Sequence, residues 1–408
     1  MGYYRLAQGR MIPDLRDQFN KQFSLEKYYS ILNRICASNN CERIAFKTSE
    51  SPIFLGEDFK NKLIEASSSL IEQIKLFPPY ELEKLVPSEF RIPNDQSTKP
   101  HFLQIDFAVS KNEDGEIVPM LIELQGFPGI ACFQNELEHA LTEEYPFLKS
   151  LKSSTSKELI SLLQEVVIGE EDTENVIILD VFPNQQGSWI DLIISAKQLE
   201  IQIVCASKII CEDRKLYYEH NNRKIVIKRI FNRMVLEDLL QHPDILASFD
   251  PRRNEYDVKW ITHPNWFFKI SKALLPVLKH ECVPKAFYLQ DFPDNEKLED
   301  FVLKPLFSYM GKGVDLHPSK EKVNTLHNPS DYLLQERVKY WSLFKDVNEE
   351  CSSAEIRLLF IWEEQEANPT LVGNFVRMSK SQMMNLNCNS YDLWIGCSVF
   401  FFTCHFPQ

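Results

Sequence analysis

The alternation of apolar and polar residues changes period several times along the chain, and each change marks an element. In Phe59–Ile74 apolar positions recur at helical spacing until Pro78 and Pro79 end the pattern, so the first hundred residues read as mainly helical. From Phe102 to Gln125 two apolar-rich runs flank Asn112-Glu113-Asp114-Gly115, a set suited to a tight turn, which predicts a β-hairpin. A helix is expected over Asn135–Leu151. Val176–Val181 has the composition of a buried strand; the loop Pro183–Ser188, the helical run Trp189–Leu199 and the strand Ile201–Cys205 follow, an order that predicts a small α/β unit with parallel strands. Beyond His263 the pattern predicts a helix over Phe268–Leu278 and strands at Phe301–Lys304, Tyr332–Gln335, Ile356–Trp362 and Leu371–Met378.

The hairpin carries candidate chemistry. Side chains alternate along a strand, so Phe102, Gln104 and Asp106 share one face, and Glu123 and Gln125 share a face opposite Ile122 and Leu124. Asp106, Glu123 and Gln125 can then converge as hard oxygen ligands of the kind Mg²⁺ takes, or they are ordinary polar residues of an exposed sheet face. The apolar strand Phe301-Val302-Leu303-Lys304 leads into Ser308-Tyr309-Met310-Gly311-Lys312-Gly313-Val314. Two of the chain's 12 glycines fall within three residues there. Such a loop lets main-chain N–H groups approach phosphate oxygens, with Lys304 and Lys312 adding charge, or it is a glycine hairpin between strands. It lacks the Walker A spacing. After it, Gln335-Glu336-Arg337-Val338 ends an apolar strand and can offer backbone groups to a base edge.

Composition narrows the class. At 408 residues, with 44% hydrophobic and 25% charged residues, the chain has the make-up of a globular protein of two or more domains. No stretch approaches the roughly 20 apolar residues of a membrane helix. The opening MGYYRLAQGRMIPDLRDQF has no apolar signal core, so a cytoplasmic protein is expected. Ten scattered cysteines with no CxxC pair point to reduced thiols rather than a disulfide framework or zinc site. A net charge of −13 argues against nucleic acid as a partner. Nothing in the sequence sets the oligomeric state.

Taken in order, these segments resemble the ATP-grasp superfamily, in particular its circularly permuted branch that includes glutathione synthetase and glutathionylspermidine synthetase. Asp106-Phe107 with Leu121-Ile122-Glu123-Leu124-Gln125 resembles that branch's metal hairpin, Gln125 standing where Asn is usual. His263-Pro264-Asn265 through Lys272-Ala273-Leu274-Leu275 resembles the segment bearing the first nucleotide-binding lysine, so Lys272 matches it and Lys304 matches the second. Glu336-Arg337-Val338 resembles the adenine hinge, and Val372–Ser379 the strand whose arginine, here Arg377, meets the acceptor. Ser308 occupies the stretch that carries a further metal-binding Glu in glutathione synthetases.

The resemblance implies an α/β (α+β) ATP-grasp fold, two β-rich lobes clamping Mg-ATP beside a small α/β domain and an N-terminal helical region. On it the chain divides into residues 1–100 (helical), 101–165 (metal hairpin and helix), 166–262 (small α/β domain), 263–330 (lysine and glycine-loop subdomain) and 331–408 (C-terminal subdomain). The implied activity is a carboxylate–amine ligase working through an acyl phosphate on small-molecule or peptide substrates. A small-molecule kinase or a nucleotide-binding protein without turnover are the alternatives. Metal falls to Asp106, Glu123 and Gln125. The nucleotide falls to Lys272, Lys304, Gly311, Lys312, Gly313, Gln335, Glu336, Arg337 and Val338, and catalysis to Arg377 with Lys312. Arg229 and Arg233 either hold an anionic substrate or form a basic strand edge. Asn184, Gln185, Gln186, Gly187 and Asp191 line a pocket or cap helices. Gln125–Gly129 is a candidate substrate loop. Cys388 has no His nearby in sequence to activate it, and Asn385 and Asn387 are candidates for the phosphate or metal environment.

Overall fold

The computed structural model describes residues 13–95, 97–151, 156–309, 311–381, 384 and 392–402. Met310, Asn385, Asn387 and Cys388 lie outside the described residues. A central antiparallel sheet organises the rest: strands Gly396–Ser398, Thr370–Ser379, Cys351–Ile361, Phe102–Lys111 and Ile117–Gln125 lie side by side in that order, and Phe344–Lys345 also pairs with Cys351–Ile361. A smaller antiparallel sheet, Ala286–Tyr288, Tyr332–Glu336 and Phe301–Pro305, faces it. Four parallel strands, Lys259–Ile261, Arg229–Asn232, Val176–Asp180 and Gln202–Cys205, form the expected α/β unit with helix Trp189–Leu199. Attached to it is a meander, Ile210–Glu212, Lys215–His220 and Arg223–Ile227, turning through left-handed Asp213, Asn221 and Asn222. Asp and Asn tolerate that backbone region because their short polar side chains bond locally.

Among the described residues apolar packing falls into three clusters. The largest joins helices Leu25–Ser38, Glu57–Leu76 and Ala131–Glu144 to the inner face of the central sheet. A second fills the α/β unit around Ile177, Leu179, Leu239 and Phe249, and a small third lies under the smaller sheet at Leu289, Phe301, Leu303 and Leu334. The N-terminal region also contributes a strand, Ile53–Leu55, which pairs in parallel with Phe400–Phe402 and so ties the two ends together. No helix among the described residues is long and apolar enough to cross a membrane.

Two expected helices differ. The one predicted over Asn135–Leu151 begins at Ala131 and stops at Glu144, because Pro146 cannot donate a helical hydrogen bond; a 3₁₀ turn, Pro146–Ser150, replaces its end. The helix predicted over Phe268–Leu278 is broken into Trp266–Lys269 and a 3₁₀ turn, Lys272–Leu274. Ser271 is extended and its hydroxyl accepts from the Ala273 N–H, while the Ile270 carbonyl is taken by Gly126 N at 2.9 Å. The break turns Lys272 toward the central sheet.

Gly396 opens a strand at φ +102°, and a β-carbon there would sit 2.3 Å from the Lys47 carbonyl oxygen. Gly396→Ala therefore adds backbone strain to a clash with main chain that cannot rotate away. A loss of roughly 2–5 kcal/mol is expected in urea unfolding, against less than about 0.5 kcal/mol for an exposed control such as Lys215→Ala.

Candidate functional site

The site is set by strand register. In the central sheet Arg377 pairs with Glu355 and Glu355 with Ala108; two residues along, Arg357 pairs with Asp106 and Asp106 with Glu123. Directly paired residues share a face, as do residues two apart on one strand, so five charged side chains lie together on one face. The other face carries Ile105, Phe107, Ile356 and Val376, all buried in the main core. Between Asp106 and Phe107 the hairpin register slips by one residue, and Ile122 is the unpaired one. The slip corrects the expectation that Ile122 points away from Glu123: both line the cavity described below. Ile117–Gln125 is the edge strand of the sheet, so it also presents main-chain groups outward, and the Leu121 N–H donates to the Cys282 carbonyl at 2.7 Å. Lys304 Nζ donates to the Ile122 carbonyl at 3.2 Å and Gln335 Nε2 to the Leu121 carbonyl at 3.0 Å.

A cavity of about 450 Å³ lies between this charged face and the smaller sheet. Its wall includes Glu123, Lys272, Lys304, Gly311, Gln335, Glu336, Arg337, Val338 and Arg377. Val302, Val314 and Leu316 supply an apolar part beside residues 336–338. Lys272 Nζ reaches Glu123 at 3.3 Å and the Ser308 carbonyl at 2.6 Å, which links the hairpin to the glycine loop. Lys304 is bonded to neutral oxygens only, the second being Gln335 Oε1 at 2.5 Å, and has no carboxylate within ion-pair distance among the described residues. Burial, aided by Lys272 and Arg377, pushes its ammonium down to about 8 despite Glu123 nearby. Burial would push the Glu123 carboxyl up, but Lys272, Arg377, Arg357 and Lys304 together hold it well below the usual range.

Four sequence candidates, Asp106, Gln125, Lys312 and Gly313, stand off the wall. Asp106 is behind the wall, 1% exposed, with Oδ1 accepting from Arg357 Nε at 2.6 Å and Oδ2 from Arg357 Nη2 at 2.7 Å and Arg377 Nη2 at 2.5 Å. Both of its oxygens are committed to arginines, so it anchors cations instead of facing a metal. Gln125 lies beside Glu123 and its amide nitrogen donates to Glu123 Oε1 at 2.7 Å. Lys312 turns outward to Glu237 at 2.9 Å, because Gly311 and Gly313, at φ +73° and +76°, reverse the chain on either side of it. Gly311 is on the wall; Gly313 instead abuts Pro305.

The residues considered for an anionic substrate, a pocket or a substrate loop are also structural in part. Arg229 donates to the Val167 and Val166 carbonyls, and Arg233 is buried against Asp191 at 2.7 Å. Asp191 also accepts from the Phe133 N–H near the start of helix Ala131–Glu144, so it ties two helices together, while its own helix has Ser188 at the N-cap with no side-chain capping bond. Gln186 Nε2 closes its own turn onto the Val181 carbonyl, and Gly126 holds the broken segment at Ile270.

Sequence reasoning missed Glu355, Arg357, Tyr340 and Lys380. Glu355 lines the cavity and accepts from Arg377 at 2.7 Å and from the Tyr340 hydroxyl. Burial, with Asp106 and Glu123 adding to it, raises the Glu355 carboxyl against the pull of Arg377 and Tyr340. Lys380, also on the wall, pairs with Asp346 at 2.8 Å. A signal was present: Ser353, Glu355 and Arg357 form a period-two polar row that alternates with Ala354, Ile356 and Leu358.

Among the described residues no group of three or more His, Cys, Asp or Glu could hold a metal unaided. The wall carboxylates Glu123 and Glu355 suit Mg²⁺ only in its usual manner, where substrate phosphates and waters complete the shell. No protein-family model and no curated protein sequence matches the chain. Among solved structures, a glutathione synthetase-like effector from Globodera pallida, in its apo form, matches with a TM-score of 0.56 over 87% of this chain and 94% of that one, at 14% identity. The chain thus has a glutathione synthetase-like α+β fold.

Removing the Asp106 charge strands two arginines among the remaining carboxylates. Asp106→Asn is expected to cost about 3–5 kcal/mol in urea unfolding, whereas Lys312→Ala, which breaks an exposed pair, should cost less than about 1 kcal/mol.

Proposed function

We propose that the chain is an ATP-dependent carboxylate–amine ligase that holds Mg-ATP in the cavity between the two antiparallel sheets. The observation that carries this reading is Lys304: a buried ammonium with only neutral hydrogen-bond partners, on a cavity wall beside a second lysine, is a site for an anion. The glutathione synthetase-like fold supports the ligase class. An apolar stretch against residues 336–338 suits an adenine ring, and Lys272, Lys304 and the Gly311 backbone suit the phosphates.

In the reaction, a substrate carboxylate oxygen attacks the γ-phosphorus, ADP leaves, and an amine nitrogen then attacks the acyl carbon and releases phosphate. Glu123 and Glu355 would hold Mg²⁺, which supplies charge neutralisation at the phosphoryl oxygens. Lys304 and Lys272 orient the phosphates, and Arg377, fixed by Asp106 and Glu355, meets the charge that develops at the acceptor. Gln335 keeps the Lys304 ammonium in place through its side-chain oxygen.

Saturating Mg-ATP, at roughly a hundred times Kd, should stabilise the protein by about 2.7 kcal/mol in thermal unfolding, and Lys304→Ala should remove most of this. An undiminished shift in that variant would rule Lys304 out of the site. Sustained ADP formation that needs both a carboxylate and an amine identifies the ligase, which with a carboxylate alone stops at the acyl phosphate; sustained ADP formation with a single acceptor identifies a kinase on the same scaffold.

The acid–base state of Lys304 gives a second test. Its folded value near 8 lies below the ordinary lysine value of 10.5, so as pH rises through about 8 the free protein loses the proton that the phosphates require. Affinity for Mg-ATP should therefore fall about fivefold between about pH 8 and pH 9 in isothermal titration. Lys304→Arg, which keeps its charge there, should flatten the fall, and an equal slope in both proteins would assign it to another group.

A further inference from the structure

The glycine loop is held from two sides. On the cavity side Lys272 Nζ donates to the Ser308 carbonyl at 2.6 Å. On the outer side the Tyr309 hydroxyl donates to Asp238 Oδ1 at 2.7 Å, and Lys312 Nζ donates to Glu237 Oε1 at 2.9 Å. Glu237 and Asp238 lie in the short helix Leu236–Leu240, which follows the parallel strand Arg229–Asn232 and is packed through Leu236 and Leu239 into the separate core of the α/β unit. The Tyr309 ring also meets the edge of Phe267, at 6.5 Å between centroids, next to the segment that delivers Lys272. An element outside the cavity thus grips the loop that walls it.

We propose that Glu237 and Asp238 are positioning residues for nucleotide binding: they hold the glycine loop in the place where Gly311 meets the nucleotide. The proposal rests on the nucleotide reading given above. The two contacts differ in strength. Lys312–Glu237 is exposed, with side chains 61% and 37% accessible, and alone contributes little. Tyr309–Asp238 is partly buried and uses an ionisable acceptor, the stronger kind of hydrogen bond. Together they fix the start and the middle of a turn whose two glycines otherwise allow many conformations. That freedom has to be lost when phosphates bind. Holding the loop in advance lowers this entropic cost and raises affinity, although neither acid touches the ligand.

The test uses the full chain with Glu237→Gln and Asp238→Asn together, which keep size and remove charge. Mg-ATP affinity by isothermal titration is expected to fall about three- to tenfold, with the thermal midpoint of the ligand-free protein unchanged. Trypsin cleavage after Lys312 without nucleotide should become several-fold faster. The charge exchange Glu237→Lys with Lys312→Glu should recover affinity relative to Glu237→Lys alone, which a merely structural role in the α/β unit would not give. Unchanged affinity and cleavage in the double variant overturn the proposal, as does an affinity loss matched by a lower midpoint and no recovery on exchange. A wild-type chain that does not bind Mg-ATP sinks the nucleotide reading and this role with it. The cleavage result would then report only whether the acids restrain the loop.

Discussion

The site depends on one buried carboxylate between two guanidinium groups. Asp106 is nearly inaccessible, and burying it would be costly if its oxygens were not both bonded. Arg357 covers it in a fork, with Nε and Nη2 on separate oxygens, and Arg377 reaches the same carboxylate from the next strand. Because Arg377 also bonds Glu355, and Arg357 also approaches Glu123 at 3.7 Å, Asp106 links the two wall carboxylates of the central sheet through its arginines. The register that makes this possible is enforced from the opposite face, where a one-residue slip would drive these charges into the apolar core.

The bulge at Ile122 joins the two sheets. Ile117–Gln125 is the edge strand of the central sheet, so main-chain carbonyls on its outer side accept from Lys304 and Gln335, which come from two strands of the smaller sheet, and the slip falls at the Ile122 carbonyl that Lys304 reaches. Lys304 and Gln335 also bond each other. A cluster of backbone oxygen, amide and ammonium thus spans the back of the cavity, and these two side chains both support the architecture and line the space. A sheet bulge beside a functional cavity is a common use of this irregularity, since it redirects a side chain without breaking the sheet.

The sequence made the elements legible wherever period and turn chemistry are local properties. The hairpin about Asn112–Gly115, helix Trp189–Leu199 and the parallel strands around it could be read from runs of a few residues. It failed where a distant partner decides. The helix expected over Phe268–Leu278 is broken by a carbonyl–amide contact to Gly126, about 140 residues earlier in the chain. Asp106 was legible as one of a set of converging oxygens but not as an arginine anchor, because Arg357 and Arg377 become its neighbours only through pairing of strands 251 and 271 residues apart. Lys312 drew attention as a cation between glycines, yet those glycines are what turn it outward. Glu123 and Lys304 stood out from the pattern of their own strands, whereas Lys272 stood out only through the resemblance, and what local pattern could not give is that the three line one cavity.

Charge balance in the cluster supports the proposed polyphosphate ligand over a simple carboxylate. Three carboxylates, Asp106, Glu123 and Glu355, stand against four cations, Arg357, Arg377, Lys272 and Lys304, so the cluster carries an excess positive charge inside a chain whose net charge is −13. The excess resides on Lys304, since each of the other three cations has a carboxylate partner. A single carboxylate ligand would neutralise it and leave no charge for the Lys272 ammonium or the Gly311 backbone to meet. A polyphosphate can engage all three at once, and its surplus negative charge is what would draw a divalent cation to Glu123 and Glu355. The pairing pattern of the cluster thus favours an extended, multiply charged anion.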